Sequence, residues 1–172
     1  MAQIELIEGD ITTLNVDAIV NAANSALAGG GGVDGAIHDA AGPELDAACQ
    51  QLRRTTLPAG LPVGQAVATP GFRLPARLII HTVGPNVHRG QRNPADLRSA
   101  FTESLRVAEK SGAVSLAFPA ISGGVYGWPM AEVARIGLEV ARAYSGPVER
   151  IVFCLYSASD LAVWQQVAAA GE

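Results

Sequence analysis

The hydrophobic pattern divides the chain into short apolar runs and longer stretches with helical spacing. Residues 3–7 alternate polar and apolar and predict a short strand. Residues 16–20 are β-branched and apolar apart from Asp17 and Ala18, as suits a buried strand. Residues 65–69, 78–83, 115–118 and 150–156 predict further strands, and 78–83 (Leu-Ile-Ile-His-Thr-Val) is the strongest. Between them lie helical patterns. Residues 34–41 form a short one, stopped by Gly42-Pro43. Residues 44–52 place Leu45, Ala48, Cys49 and Leu52 on one face. Residues 94–110 carry a stripe of Leu97, Phe101, Leu105 and Ala108, with Pro94 in the first turn and Gly112 after the last. Residues 129–143 open on Pro129 and turn Met130, Val133, Ala134, Gly137, Val140 and Ala141 inward. Ser157 caps a last helix to about residue 170, with Leu161, Trp164, Val167 and Ala168 inward. Residues 86–93, with His88, Arg89 and Arg92, predict an exposed loop.

Strands alternating with helices predict an α/β protein. The expected architecture is a three-layer α/β/α sandwich around a mixed, mostly parallel central sheet, with the first strand antiparallel at one edge. No repeat or linker divides residues 1–172, so one domain is expected. Composition narrows the class. Hydrophobic residues make up 49% of 172 positions and charged residues 16%, which supports a sizeable core and excludes disorder. The net charge of −4 argues against a charge-driven nucleic-acid surface. Two cysteines, Cys49 and Cys154, fit a reducing compartment. The first residues lack a basic region followed by an apolar stretch, and no apolar run approaches a membrane span. A cytoplasmic monomer is expected, with no membrane partner.

The chemistry concentrates in residues 20–38. A strand end carries Asn21 and Asn24, four glycines follow from Gly29 to Gly32, and Val33-Asp34 opens a helix. Glycines expose backbone N–H groups, and a helix N-terminus suits an anion such as phosphate. Asp34 and His38 lie one turn apart on one face. Each has a plainer reading: Asp34 as an N-cap, His38 as a packed helix residue. Gly30, Gly32 and Gly35 also satisfy G-x-G-x-x-G, the dinucleotide pattern of a nicotinamide-dependent oxidoreductase. That match is weak, because the turn from Asn21 is too long and no acid ends a second strand. A second glycine loop, residues 119–129, holds Ser122, Gly123, Gly124, Val125, Tyr126, Gly127 and Trp128. Both loops follow strands and precede helices, so the fold places them at one sheet edge. Neither contains Lys or Arg, so a phosphate there must be held by backbone, and two such loops suit a diphosphate. Tyr126 and Trp128 offer apolar faces to a sugar or ring. One Asp, one His and no Cys are too few ligands for a zinc site, so neither metal nor cofactor is expected.

Gly9-Asp10-Ile11, Asn21-Ala22-Ala23-Asn24, residues 29–34, Ala36-Ile37-His38, His81-Thr82-Val83-Gly84-Pro85 and residues 122–129 occur in an order that closely resembles a macrodomain of the MacroD type. The resemblance spans nearly the whole chain. It implies binding of ADP-ribose, removal of mono-ADP-ribose from acidic side chains of proteins, and deacetylation of O-acetyl-ADP-ribose, without metal. On the same resemblance Asp10 accepts from the adenine amino group beside Ile11, and Tyr156 packs on the adenine. Asn21 joins the ligand-binding set. Gly30, Gly31, Gly32 and Val33, with Ser122, Gly123, Gly124, Val125 and Tyr126, wrap the diphosphate and distal ribose. Asn24 holds the ribose hydroxyls, Asp34 orients or activates water, and His38 supports it. Gly123 departs from a frequent Thr and Trp128 from a usual Tyr or Phe, and the loop after Pro85 lacks an aromatic. The chemistry fits one acid: an acyl group on the anomeric carbon leaves as a carboxylate, with a conjugate-acid pKa near ~4, and needs little protonation. The rival is a reader of ADP-ribose that catalyses nothing, for which an acid beside the ribose has no purpose.

Overall fold

A computed structural model describes residues 2–171. Among them the strands are β1 (Gln3–Glu8), β2 (Ala18–Ala22), β3 (Ala66–Pro70), β4 (Leu78–Thr82), β5 (Ser115–Phe118) and β6 (Arg150–Leu155). The α-helices are α1 (Gly32–Ala41), α2 (Pro43–Arg54), α3 (Pro94–Lys110), α4 (Met130–Ala143) and α5 (Ala158–Ala170). The sheet order is β1-β6-β5-β2-β4-β3, with every pairing parallel except β3 with β4. The three-layer sandwich expected from the alternation is the architecture observed.

The antiparallel edge is on the other side from the one expected. β1 does lie at an edge, but it runs parallel to β6, with Gln3 beside Arg150 and Glu8 beside Leu155. Glu5 and Arg150 pair across the two strands. The antiparallel strand is β3, which returns to β4 through a turn closed by Gly71 N–H to Arg77 O at 2.9 Å. A link that short permits only antiparallel pairing; a parallel pair needs a crossover.

Alternation along the strands sorts their side chains into two layers. Val20, Ile80, Phe118 and Phe153 face α3, α4 and α5, and pack with Phe101, Val133 and Trp164. Ring centroids there are 5.2 Å apart for Phe101–Phe118 and 4.7 Å for Phe153–Trp164. Ile19, Ile79 and Val152 face α1 and α2, and pack with Ile37, Leu45 and Cys49. Each large side chain buried this way contributes about 1.5–3 kcal/mol. The aromatic layer holds more of these side chains and so carries the larger share, while buried Asn21, Asp34 and His81 lie on the α1/α2 side.

β2 starts and ends two residues later than the sequence pattern suggested. Asp17 explains the shift: its carboxylate accepts from Val114 N–H at 2.7 Å and Ser115 N–H at 3.3 Å, tying the entry of β2 to that of β5. The later register carries Asn21 into the strand, where it is fully buried beside His81 of β4.

Candidate functional site

The parallel strands bring the candidate segments to one edge in a fixed order. Asp10 follows β1, Tyr156 follows β6, residues 119–129 follow β5, the first glycine loop follows β2, and residues 83–85 follow β4. Gly9 N–H donates to Leu155 O at 2.9 Å and ties the first two together. The Asp10 carboxylate accepts from Thr12 N–H at 3.0 Å and Thr12 Oγ1–H at 2.7 Å, and so caps a 3-10 turn (Ile11–Thr13). Ile11 is buried beneath it. Tyr156 is 91% exposed, a large ring left open at the strand end.

In the first loop, residues 29–34 donate no backbone hydrogen bond among the described residues; the next N–H, of Gly35, returns to Gly31 O at 3.3 Å. Asn24 braces this loop, with Nδ2–H donating to Gly29 O at 2.9 Å and Oδ1 accepting from Ala28 N–H at 3.1 Å. A Cβ at position 35 would sit 2.4 Å from Gly30 O, so the helix start and the loop touch backbone to backbone. In the second loop the N–H groups of 124, 125 and 126 are likewise unused among the described residues. Ser122 holds a left-handed backbone at φ 65°, and its hydroxyl donates to Pro85 O at 2.8 Å. Val125 is 86% exposed at the tip.

Asp34 is not an N-cap. α1 begins at Gly32 with Gly31 as cap residue, and the Asp34 side chain turns into the protein. Its Oδ1 accepts from Asn21 Nδ2–H at 2.8 Å and lies 3.4 Å from His38 Nε2. Its Oδ2 faces the loop, 3.5 Å from where a Cβ on Gly30 would stand; Asn24 Nδ2 is 3.8 Å from the same point. Burial raises the Asp34 carboxyl above its ordinary value, against the opposing Asn21 hydrogen bond and His38. His38 Nδ1 is 2.6 Å from Asp46 Oδ1 on α2, so carboxylates stand at both ring nitrogens. On its other side Asn21 Nδ2 is 3.1 Å from His81 Nδ1, and His81 Nε2 is 3.0 Å from Thr69 Oγ1 on β3. A polar chain thus runs through the α1/α2 layer, Asp46–His38–Asp34–Asn21–His81–Thr69.

Residues 20–137 match the family model described as Macro domain. The chain belongs to the macro domain family. The macro domain is 52% identical over 167 residues to a Streptomyces griseus protein described as "Macro domain-containing protein in non 5'region", covering 96% of this chain and 94% of that protein. It is 48% identical over 171 residues to a Klebsiella pneumoniae protein named O-acetyl-ADP-ribose deacetylase, covering 97% of each. Among solved structures, the Oceanobacillus iheyensis macrodomain with ADP superposes with a TM-score of 0.92 at 40% identity, covering 98% of this chain and 91% of that one. The Trypanosoma brucei macrodomain in complex with ADP-ribose gives 0.84 at 36% identity, covering 96% and 68%.

In this macro domain Asn24, Asp34 and His38 come together with Asn21 and Gly30, while Asp10, Tyr156 and the second loop lie farther along the same edge. Trp128 does not offer a face to a ligand: it is buried in the aromatic layer. Gly123 has a local cause, because a Cβ there would come within 2.9 Å of Met130 Cε and 3.2 Å of Ala120 O. Sequence reasoning gave no site role to His81, Thr69 or Asp46. A histidine inside the aliphatic run Leu78–Thr82 was the one available signal.

Proposed function

We propose that this macro domain binds ADP-ribose along the sheet edge and hydrolyses acyl-linked ADP-ribose, releasing it from Glu and Asp side chains and deacetylating O-acetyl-ADP-ribose. The observation that carries the proposal is Asp34: a buried carboxylate with Oδ1 tied back and Oδ2 open toward a glycine loop. The Oceanobacillus iheyensis and Trypanosoma brucei structures, with ADP and ADP-ribose, and the named Klebsiella deacetylase support the ligand and the reaction class.

Unused N–H groups of the two loops would hold the diphosphate without a basic side chain. Tyr156 would stack on the adenine and Asp10 accept from its amino group, using the oxygen not committed to Thr12. Asn24 keeps one hydrogen and one lone pair beyond its loop contacts for the ribose hydroxyls. Where the acyl group is on the anomeric carbon, water held by Asp34 Oδ2 would attack that carbon while its bond to the acyl oxygen breaks. The carboxylate leaves with the electron pair, and the water proton passes to Asp34 or a substrate phosphate. Burial makes Asp34 a better acceptor of that proton than a solvated aspartate.

A protein mono-ADP-ribosylated only on Glu, incubated with this chain, should lose ADP-ribose over time, and calorimetry should show free ADP-ribose binding. Binding without release would make the chain a reader of ADP-ribose and remove the hydrolase reading.

A further inference from the structure

The polar chain does not stop at Asp34, and its far half lies away from the loops. Asn21 and His81 are fully buried register neighbours on parallel strands, and Thr69, on the antiparallel edge strand, closes the chain. One nitrogen, Asn21 Nδ2, lies within hydrogen-bond distance of both Asp34 Oδ1 and His81 Nδ1. An amide nitrogen has two hydrogens and no lone pair to accept with, so both neighbours must be acceptors. His81 Nδ1 is therefore bare, its proton sits on Nε2, and Nε2–H donates to Thr69 Oγ1.

The opposite amide orientation is blocked by the same logic. It would set Asn21 Oδ1 against the Asp34 carboxylate, acceptor facing acceptor. In the orientation present, Oδ1 is buried and accepts no hydrogen bond among the described residues, which costs about 1–3 kcal/mol. A reversed amide would leave that position to an unpaired N–H instead. The unpaired oxygen is tolerated because the nitrogen serves two acceptors.

We propose that His81, backed by Thr69, is a positioning residue: it fixes the Asn21 amide so that Nδ2 donates to Asp34 and holds Asp34 as an ionised acceptor. This deepens, and rests on, the reading of Asp34 as the water-binding carboxylate. Burial keeps His81 neutral by pushing its pKa down to about 3, with His38 adding to the shift, so Nδ1 stays an acceptor throughout the neutral range. The titratable groups around Asp34 are His38 on its own helix and Asp46 and Cys49 on α2; the strand side presents Asn21 and neutral His81.

The test uses the full chain and reads Asp34 directly. The ¹⁵N spectrum of wild-type His81 should show the neutral Nε2–H tautomer; a neutral Nδ1–H tautomer overturns the proposal. Carboxyl ¹³C titration of Asp34 should move up by about one pH unit in His81→Leu, which removes the acceptor. His81→Asn, whose side-chain oxygen can stand where Nδ1 stood, should restore it. Thr69→Val deprives Nε2–H of its acceptor while nearly keeping shape, and should move Asp34 the same way by less. The acid limb of the pH–rate profile should follow these shifts, lowering kcat near neutrality and leaving KM unmoved. An Asp34 titration unchanged in folded His81→Leu, or in Thr69→Val if the leucine variant does not fold, overturns the proposal. If wild type shows no turnover, the hydrolase reading fails while the spectra still decide the role of His81.

Discussion

The two oxygens of Asp34 have different surroundings. Oδ1 is held by Asn21 at 2.8 Å with His38 Nε2 3.4 Å away, and Oδ2 faces Gly30. Replacing Asp34 by Ala should therefore lower turnover by about 10²–10⁴, the scale of a positioned acid–base group, while affinity for ADP-ribose changes little. Steady-state rates beside calorimetry check this, and a wild-type rate would return Asp34 to a structural role. His38 bears on linkage selectivity. Asp34 and Asp46 stand at its two ring nitrogens, so neither is free to protonate a departing group. ADP-ribose on Glu leaves as a carboxylate and needs no such proton; on Ser it leaves as an alkoxide and does. Two substrates modified only on Glu or only on Ser should separate, with release from Glu alone; equal rates would reveal an acid elsewhere in the site. Asp34 and His38 were legible in the sequence because helical spacing puts them on one face. The partners of His81, Thr69 and Asp46 were not, because they depend on strand register and on how α2 packs against α1, which no local pattern encodes.

At the scale of elements, the glycine loop is built by contact as well as by flexibility. Position 35 has the Gly30 carbonyl 2.4 Å from where its Cβ would stand, whereas among the described residues nothing beyond its chain neighbours lies within 4 Å of a Cβ at position 31. Gly35→Ala should push loop and helix apart and destabilise the fold by about 1–3 kcal/mol, the usual range for overpacking. Gly31→Ala should leave the melting temperature nearly unchanged yet weaken ADP-ribose binding, because its methyl would stand where the diphosphate is proposed to lie. Thermal melts and calorimetry on both variants check the contrast; a Gly31→Ala variant that binds like wild type would move the diphosphate off this loop. Helices and strands were legible from periodicity to within about two residues at their ends. The shift of β2 was not, since it follows from Asp17 binding the backbone of residues 114 and 115 far along the chain. Nor was the direction of β1, which pairs with the last strand and so is constrained by no short turn.

For the molecule as a whole, two buried groups set opposing pH dependences. Unfolded His81 takes a proton near ~6.5. In the fold it does so only near about 3. Between those values the unfolded chain holds the extra proton, so this stability is full above the upper value and falls as pH falls. Asp34 is raised instead, so its contribution is present below ~4 and lost as pH rises through its folded value. The melting temperature should drop between pH 7 and pH 5, less steeply in His81→Asn and more steeply in Asp34→Asn; parallel curves for all three would assign the drop to other groups. Division of the core into two layers has a further consequence, in time rather than in energy. Both cysteines, Cys49 on α2 and Cys154 on β6, lie in the α1/α2 layer, and burial pushes each thiol up to about 11. A thiol reagent near pH 8 can reach them only when that layer opens, so its labelling rate acts as a clock for one half of the molecule while the aromatic half contributes no signal. A ligand seated across the mouth of α1 should slow that clock.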